Sequence, residues 1–305
     1  AAKDLIKVLI GMRRIGKSSL MRLIAQDMQK MDDYQDTPFF FYNFEDWANR
    51  HLLQAETLHK EIENKIALSK KAPVIFLDEI QNVNQWELVV NSLRSREQCN
   101  IFVTGSNSRL LDGELATHLA GRYICFEIFP FSFKEYLVMR QSTEPTISID
   151  MAFTDYLKTG GMPGLTLYQQ SSESVRTYLH DIFESSVIKD MAQRWKIRET
   201  ELLDRTMIYM LEQIGHRLSG NSIEKYLKSE HRRISKDTII NFMDASVKTY
   251  LFHRVDSEDV TGKQLFRFQP KFYVTDHGLR EAILQNNLVN IDQVLENIVY
   301  IELIR

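Results

Sequence analysis

A glycine-containing loop near the start of the chain carries the residue types that phosphate binding needs. Residues 11–18 read Gly-Met-Arg-Arg-Ile-Gly-Lys-Ser and fit G-x-x-x-x-G-K-[ST] at every fixed position. Gly11 and Gly16 allow the backbone to curl so that its N–H groups surround phosphate oxygens. Lys17 is expected to reach the β- and γ-phosphates, and the Ser18 hydroxyl is expected to ligate Mg²⁺. The pattern predicts a P-loop that binds ATP with Mg²⁺.

The elements around this loop are those that a P-loop requires. Leu5 to Ile10 is an apolar run that predicts a strand, and residues 20–28 carry the apolar spacing of a helix. The positive N-terminal end of that helix favours phosphate. This order disfavours the alternative, a chance match in a glycine-containing loop. The residues predicted to hold the nucleotide are Gly11, Met12, Arg13, Arg14, Ile15, Gly16, Lys17, Ser18 and Ser19.

Two acidic residues follow a second apolar run. Val74 to Leu77 predicts a strand that is buried on both faces, and Asp78 and Glu79 come directly after it. Asp78 is predicted to bind Mg²⁺ together with Ser18, and Glu79 is predicted to polarise the attacking water. The alternative is a strand that simply exits into solvent through acidic residues, which is the weaker interpretation downstream of a P-loop.

The remaining pattern divides the chain into two halves. Further strands are predicted at Pro38 to Phe44, Ile101 to Val103 and Tyr123 to Ile128, with helices between them. Alternating strands and helices predict an α/β fold with a parallel sheet covered on both faces. After Phe129 the chain is mostly helical, and the clearest break is the glycine-rich segment 160–164.

Composition narrows the class of protein. The chain has 305 residues and a formal net charge of −3, so any surface that attracts nucleic acid must be local. It has no apolar run of about 18 residues and no signal-peptide pattern, so no membrane association is expected. The cysteines Cys99 and Cys125 predict neither a disulfide framework nor a metal site. A cytoplasmic protein is therefore expected.

Taken together, these motifs resemble the AAA+ and STAND-related P-loop ATPases. Within them, the sequence is similar to a prokaryotic group that carries a DUF4143 region. The stretches that carry this narrower likeness are residues 103–108, 119–123, 129–133, 273–280 and 295–300. The resemblance implies an AAA+-like parallel sheet with flanking helices, followed by a helical segment and a winged helix-turn-helix.

The resemblance also implies roles for three further residues. Asn107 occupies the place of the sensor-1 residue, and Arg122 precedes the fifth strand, where many AAA+ proteins carry an arginine finger. Such a finger acts on a neighbour's nucleotide and implies a homo-oligomer. Pro163 lies in a G-x-P element of the STAND type, whose proline packs near the adenine. For each residue a purely structural role remains the alternative: Asn107 as an asparagine in a strand-end turn, Arg122 as a surface or salt-bridged arginine, and Pro163 as part of a helix-breaking turn. A second sensor arginine is not evident.

Residues from about 199 to 276 predict three helices and a hairpin. The helices are placed at Glu201 to Gly215, after Ser219 up to about Leu227, and from an N-cap at Ser235. Strands at 251–255 and 265–273 are expected to pair around Thr261 and Gly262, as in a winged helix.

A local group of basic residues lies at the start of the third of these helices, the end that enters the major groove in helix-turn-helix proteins. The residues predicted to contact double-stranded DNA are Arg232, Arg233, Lys236 and Thr238, with Lys263 and Arg267 added from the wing. The alternative is a winged helix that only packs on the ATPase or binds a protein.

These observations give a predicted organisation and two main functional hypotheses. The predicted domains are a P-loop ATPase core (1–135), a lid-like helical subdomain (136–198), a winged helix-turn-helix (199–283) and the start of a truncated nuclease-like region (284–305). The first hypothesis is ATP hydrolysis coupled to DNA binding. The second is a slow STAND-type nucleotide switch that acts through protein partners. A binding module with a degenerate ATPase is disfavoured by the intact Lys17, Ser18, Asp78 and Glu79.

Overall fold

A computed structural model describes residues 5–95, 99–106, 119, 121–167, 172–256 and 269–305. The chain forms two compact units. The first comprises Ala1–Gly11 and Gly16–Ile128, and the second comprises Met12–Ile15 and Phe129–Arg305. Because this division has two parts and the sequence suggested four, the finer domain boundaries stay a prediction.

The first unit is built on a parallel sheet of five strands. The strands are β1 (Ile6–Ile10), β2 (Phe39–Asn43), β3 (Val74–Asp78), β4 (Asn100–Thr104) and β5 (Tyr123–Glu127). Their order across the sheet is β2-β3-β4-β1-β5, and every pairing is parallel. All residues of β1 and β3 are buried, as continuous apolar runs require. The predicted α/β fold with a parallel sheet is confirmed.

Three α-helices accompany the sheet in the described part of the first unit. They are α1 (Lys17–Gln29), α2 (Ala55–Ala67) and α3 (Trp86–Ser95). Met21, Ala25 and Met28 form the buried stripe of α1 and pack with Phe76 and Phe102 of the sheet. Because the carboxyl ends of parallel strands meet at one edge, the loops after β1, β3 and β4 lie at the same edge.

The second unit is mainly helical between residues 133 and 194. Its helices there are α4 (Phe133–Thr143), α5 (Ile149–Thr159), the 3₁₀ helix Pro163–Leu167, α6 (Ser172–Asp181), the π-helix Ile182–Ile188 and α7 (Lys189–Arg194). Ser132 and Glu135 form a capping box that fixes the start of α4. No helix within the described ranges is long and apolar enough to cross a membrane.

Three helices and a small antiparallel sheet follow. They are α8 (Thr200–Glu212), α9 (Gly220–Ser229), α10 (Lys236–Lys248), β6 (Phe252–Val255) and β7 (Lys271–Val274), and then come α11 (His277–Leu284) and α12 (Ile291–Ile304). Ser235 caps α10 as the sequence predicts, and Ser219 caps α9. β6 pairs with β7. The predicted turn at Thr261 and Gly262, together with Lys263 and Arg267, lies outside the described residues.

The glycine pair after α5 packs against the start of α11. The Gly161 N–H donates to Asp276 Oδ2 at 2.8 Å, and the Gly278 N–H donates to Asp276 Oδ1 at 2.8 Å. A Cβ atom on Gly161 would lie 2.1 Å from the carbonyl oxygen of Phe131, which is too close for any side chain. The break in the helical pattern therefore has a packing reason within the second unit.

We expect Gly161→Ala to destabilise the second unit by about 1–3 kcal/mol or more, because the new methyl group collides with backbone that cannot rotate away. Gly220→Ala is the matched control. At Gly220 an added Cβ meets nothing closer than 3.5 Å, and the residue begins α9. Alanine there should be neutral or stabilising by up to about 1 kcal/mol. Urea unfolding midpoints measure both, and equal shifts would contradict the packing argument.

Candidate nucleotide-binding site

The loop between β1 and α1 has the conformation that its glycines permit. Gly11 has φ 139° and Gly16 has φ 95°, both in the region that favours glycine. A Cβ atom on Gly11 would lie 2.5 Å from the carbonyl oxygen of Ile128, so the position has no room for a side chain. Lys17 is only 4% exposed, and its Nζ donates to the Gly11 carbonyl oxygen at 3.0 Å. The lysine thus lies folded over its own loop.

The predicted metal ligands lie side by side. The Ser18 hydroxyl donates to Asp78 Oδ1 at 3.0 Å, although the two residues come from different elements, α1 and the end of β3. Asp78 is buried, and the same Oδ1 accepts a second hydrogen bond of 2.6 Å from the Thr104 hydroxyl. A hydroxyl and a carboxylate placed together at the carboxyl edge of the sheet are hard oxygen ligands.

This donor set fits Mg²⁺. Magnesium usually binds one or two carboxylates, keeps several waters and takes its remaining ligands from phosphate. Among the residues that the structure describes, no group of three or more His, Cys, Asp or Glu side chains could enclose a metal by itself. Ser18 and Asp78 are therefore the protein ligands that the site offers, and phosphate oxygens would complete the shell.

Glu79 has an unusual backbone at the end of β3. Its φ of 54° and ψ of 46° place it in the left-handed region, which is costly for a residue with a side chain. Its N–H donates to the Thr104 hydroxyl at 2.9 Å, and its carboxylate accepts a hydrogen bond from the Gln81 side-chain amide. Glu79 is 7% exposed. Its carboxylate is therefore held within the site by groups that pack around it.

Two residues of this arrangement were missed from the sequence. Thr104 ends β4, and the register that pairs Leu77 with Val103 brings it beside Asp78. The signal was available, because a hydroxyl at the carboxyl end of a buried parallel strand must lie at the same edge as the P-loop. Gln81 gave no signal, because a glutamine two residues after an acid is common in solvated turns.

Three other predicted site residues, the catalytic candidates Asn107 and Arg122 and the adenine-contacting candidate Pro163, lie in different parts of the chain. Asn107 lies outside the described residues. Arg122 is exposed before β5, and its Nη1 donates to Asn91 Oδ1 on α3 at 3.2 Å. Pro163 begins the 3₁₀ helix that follows the glycine pair in the second unit. The roles of these three residues stay predictions.

The middle of the P-loop belongs to the second unit. Met12 and Ile15 are buried, whereas Arg14 and Ser19 are exposed. Arg13 Nη1 lies 3.4 Å from Asp190 Oδ1, a buried carboxylate that also binds Arg194 Nε. Within this unit, the positive charge of Arg13 is thus partly balanced by a protein carboxylate.

The predicted DNA-contacting residues differ in the ion pairs and hydrogen bonds that they make within the protein. Arg232 forms a 2.7 Å ion pair with Glu201 of α8, which lowers the pKa of that carboxyl. The Thr238 hydroxyl shares a 2.8 Å hydrogen bond with Ser235 at the N-cap of α10. Arg233 and Lys236 are exposed, and in the described part of the chain neither has an ion-pair partner. Among the predicted DNA-contacting residues that the structure describes, these two are the cations without an ion pair.

Two consecutive regions of the chain match known protein families. Residues 3–137 match the family described as AAA domain, and residues 151–289 match the family described as Domain of unknown function (DUF8612). An uncharacterized protein of Haemophilus influenzae is 32% identical over 302 residues, which are 99% of this chain and 75% of that protein. The chain therefore belongs to the same protein family as this relative.

Two further proteins extend the comparison. An uncharacterized protein of Methanocaldococcus jannaschii is 32% identical over 311 residues, which are 98% of this chain and 66% of that protein. A Walker-type ATPase of Pyrococcus abyssi superposes with a TM-score of 0.59 at 15% identity, covering 91% of this chain and 90% of that one. The P-loop ATPase fold is therefore shared.

The domain matches refine the expected family. The AAA domain and the shared fold support an AAA+-like ATPase, as the resemblance implied. The matched second domain is DUF8612 and not the expected DUF4143-type region. The AAA domain and the shared P-loop ATPase fold support ATP binding and hydrolysis.

The bridging hydroxyl of Thr104 provides a sharp test of the site. We expect Thr104→Val to destabilise the protein by about 1–3 kcal/mol, since the buried Glu79 N–H loses its acceptor and Asp78 loses a donor. ATP turnover should fall about tenfold or more because the Asp78 carboxylate and the backbone of Glu79 both lose a fixed position. Thr104→Ser is the matched control, because it keeps the hydroxyl and loses one methyl group, worth about 1 kcal/mol. Turnover that is equal in the two variants would contradict the assigned role.

Proposed function

We propose that this chain binds ATP with Mg²⁺ and hydrolyses it at the edge of the sheet formed by β1, β3 and β4. The observation that carries the proposal is the 3.0 Å hydrogen bond between the P-loop hydroxyl of Ser18 and Asp78 Oδ1. It joins the two motifs that the sequence suggested independently. Glu79, buried and fixed next to this pair, is the general base of the proposal.

Each residue of the proposed site has a separate role in this reaction. The N–H groups of the loop and the Lys17 ammonium bind phosphate oxygens and hold them in place. Glu79 orients the attacking water and draws a proton from it. When bound, Mg²⁺ supplies positive charge next to the β- and γ-phosphate oxygens, with Ser18 and Asp78 as its protein ligands. Arg122 acting on a neighbouring subunit and Pro163 packing near the adenine belong to the same proposal.

Two substitutions separate binding from hydrolysis. Lys17→Ala is expected to abolish nucleotide binding, because the cation that faces the phosphates is lost. Glu79→Gln is expected to keep the affinity for ATP and to lower turnover by about 10²-fold or more, as the loss of a positioned base does. Calorimetric binding and phosphate release measure these effects. Wild-type turnover in Glu79→Gln would show that another residue orients the water.

We further propose that α8, α9, α10 and the sheet of β6 and β7 form a winged helix-turn-helix that binds duplex DNA. The order of the elements and the capped start of α10 support this. Arg233 and Lys236 lie at that start, where a recognition helix enters the major groove. Arg232, paired with Glu201, and Thr238, bonded to Ser235, make smaller contributions in this proposal.

Charge reversal tests the DNA proposal. At about 50 mM salt, where counterion release is most favourable, the protein should bind duplex DNA. The double variant Arg233→Glu, Lys236→Glu should bind far more weakly and lower the salt slope by about 2, since each phosphate contact contributes about 0.9. The control is Lys60→Glu, Lys70→Glu, which reverses two exposed charges of the first unit.

Equal effects of the two double variants would show that the binding is not localised at α10. An absence of DNA binding in the wild type, with nucleotide that co-purifies and very slow turnover, would favour the nucleotide switch that acts through a protein partner. Fast turnover that DNA does not change would contradict both versions and leave an ATPase that is independent of DNA.

A further inference from the structure

A glutamine lies against the proposed general base. Gln81 belongs to the single-turn 3₁₀ helix Ile80–Asn82 that follows β3, and its Nε2 donates to Glu79 Oε2. The orientation of this amide is determined by its neighbour. An ionised carboxylate only accepts hydrogen bonds, so the nitrogen and not the oxygen of the amide must face it.

The other end of the same amide has no partner. Gln81 Oε1 is buried, and no hydrogen-bond donor contacts it among the residues that the structure describes. A buried acceptor without a donor is unfavourable, and such groups in native proteins call for an explanation, such as an ordered water or a catalytic role. The amide therefore contacts the Glu79 carboxylate through its nitrogen and leaves its oxygen, bonded to the same carbon atom, without a partner among the described residues.

The backbone holds the two side chains in this relation. The left-handed conformation of Glu79 turns the chain sharply at the end of β3, and the Asn82 N–H closes the turn on the Glu79 carbonyl oxygen at 3.1 Å. The Glu79 N–H is held at the same time by Thr104 at 2.9 Å. Backbone strain of this kind persists where the surrounding structure fixes it, and this commonly occurs at functional sites.

We propose that Gln81 is a further residue of the hydrolytic site, on the basis of the ATP hydrolysis proposed above. Its amide N–H fixes the carboxylate of Glu79, and its Oε1 accepts one hydrogen of the attacking water. The other proton of the water passes to the Glu79 carboxylate as the water oxygen bonds to the γ-phosphorus. The bond from that phosphorus to the β–γ bridging oxygen breaks, and ADP leaves with the electron pair. The products are ADP and inorganic phosphate.

The test compares turnover with affinity in two substitutions. Gln81→Ala removes both hydrogen bonds, and Gln81→Glu places a second carboxylate where the N–H donor stood. Both should lower kcat by about tenfold or more, as the loss of a water-orienting group does. The affinity for ATP should stay within about twofold of the wild-type value, because Gln81 lies outside the P-loop. A purely structural role would instead lower the unfolding midpoint and leave the kcat of the folded fraction unchanged.

Asn82→Ala is the matched control in the same 3₁₀ helix. Asn82 is exposed, and within the described part of the chain its side chain makes a single hydrogen bond, of 3.5 Å to the carbonyl oxygen of Phe44, so kcat should be unchanged. Combining Gln81→Ala with Glu79→Gln should be about as slow as Glu79→Gln alone, since residues that act as one unit are not additive.

The outcomes distinguish this inference from the proposed function. Wild-type turnover in both Gln81 variants, with turnover lost in Glu79→Gln, would overturn the role of Gln81 and leave the ATPase intact. A loss in the double variant equal to the product of the single losses would also overturn it. An absence of turnover in the wild type would overturn the proposed hydrolysis and this inference with it.

Discussion

The hydroxyl of Thr104 is the contact on which the proposed hydrolytic site depends. It donates to Asp78 at 2.6 Å and accepts from the Glu79 N–H at 2.9 Å, so one group fixes both acidic residues. This arrangement exists only because β3 and β4 are parallel and pair Leu77 with Val103. A slip of one residue would turn every side chain of a strand to the opposite face. The chemistry of the edge therefore rests on the register of the buried sheet.

That sheet also maintains the strained positions around the site. Gly11 has no room for a Cβ atom against Ile128, and Glu79 keeps a left-handed backbone that its side chain disfavours. Each position would relax if the surrounding elements moved apart. The continuous burial of β1 and β3 supplies the rigidity, since close-packed apolar strands adjust little. The strained positions Gly11 and Glu79 thus directly follow the fully buried strands β1 and β3.

The features that could be predicted from the sequence are those whose residues follow one another closely along the chain. The P-loop and the Asp78–Glu79 pair were predictable because strand, loop and acid follow one another along the chain. Gln81 was not, because its role depends on the backbone conformation at Glu79. The break at the glycine pair was predicted, but its cause, the bond from Gly161 to Asp276, spans 115 residues. The charge pattern alone indicated that Arg232 was available to bind DNA. Only the packing of α8, which brings Glu201 to Arg232, shows that this arginine is paired.

The distribution of ion pairs limits what the helical unit can do by itself. In this unit Lys228 is paired with Glu224 and Arg232 with Glu201, whereas Lys225, Arg233 and Lys236 are exposed and have no ion pair among the residues that the structure describes. Affinity for DNA rises with each phosphate that such cations neutralise. In the DNA-binding proposal, several copies held together would strengthen the binding, because linked sites raise the effective concentration. If Arg122 acts on a neighbour's nucleotide, the same assembly that completes the ATPase site also supplies those copies, and ATP would then control DNA affinity through oligomer formation.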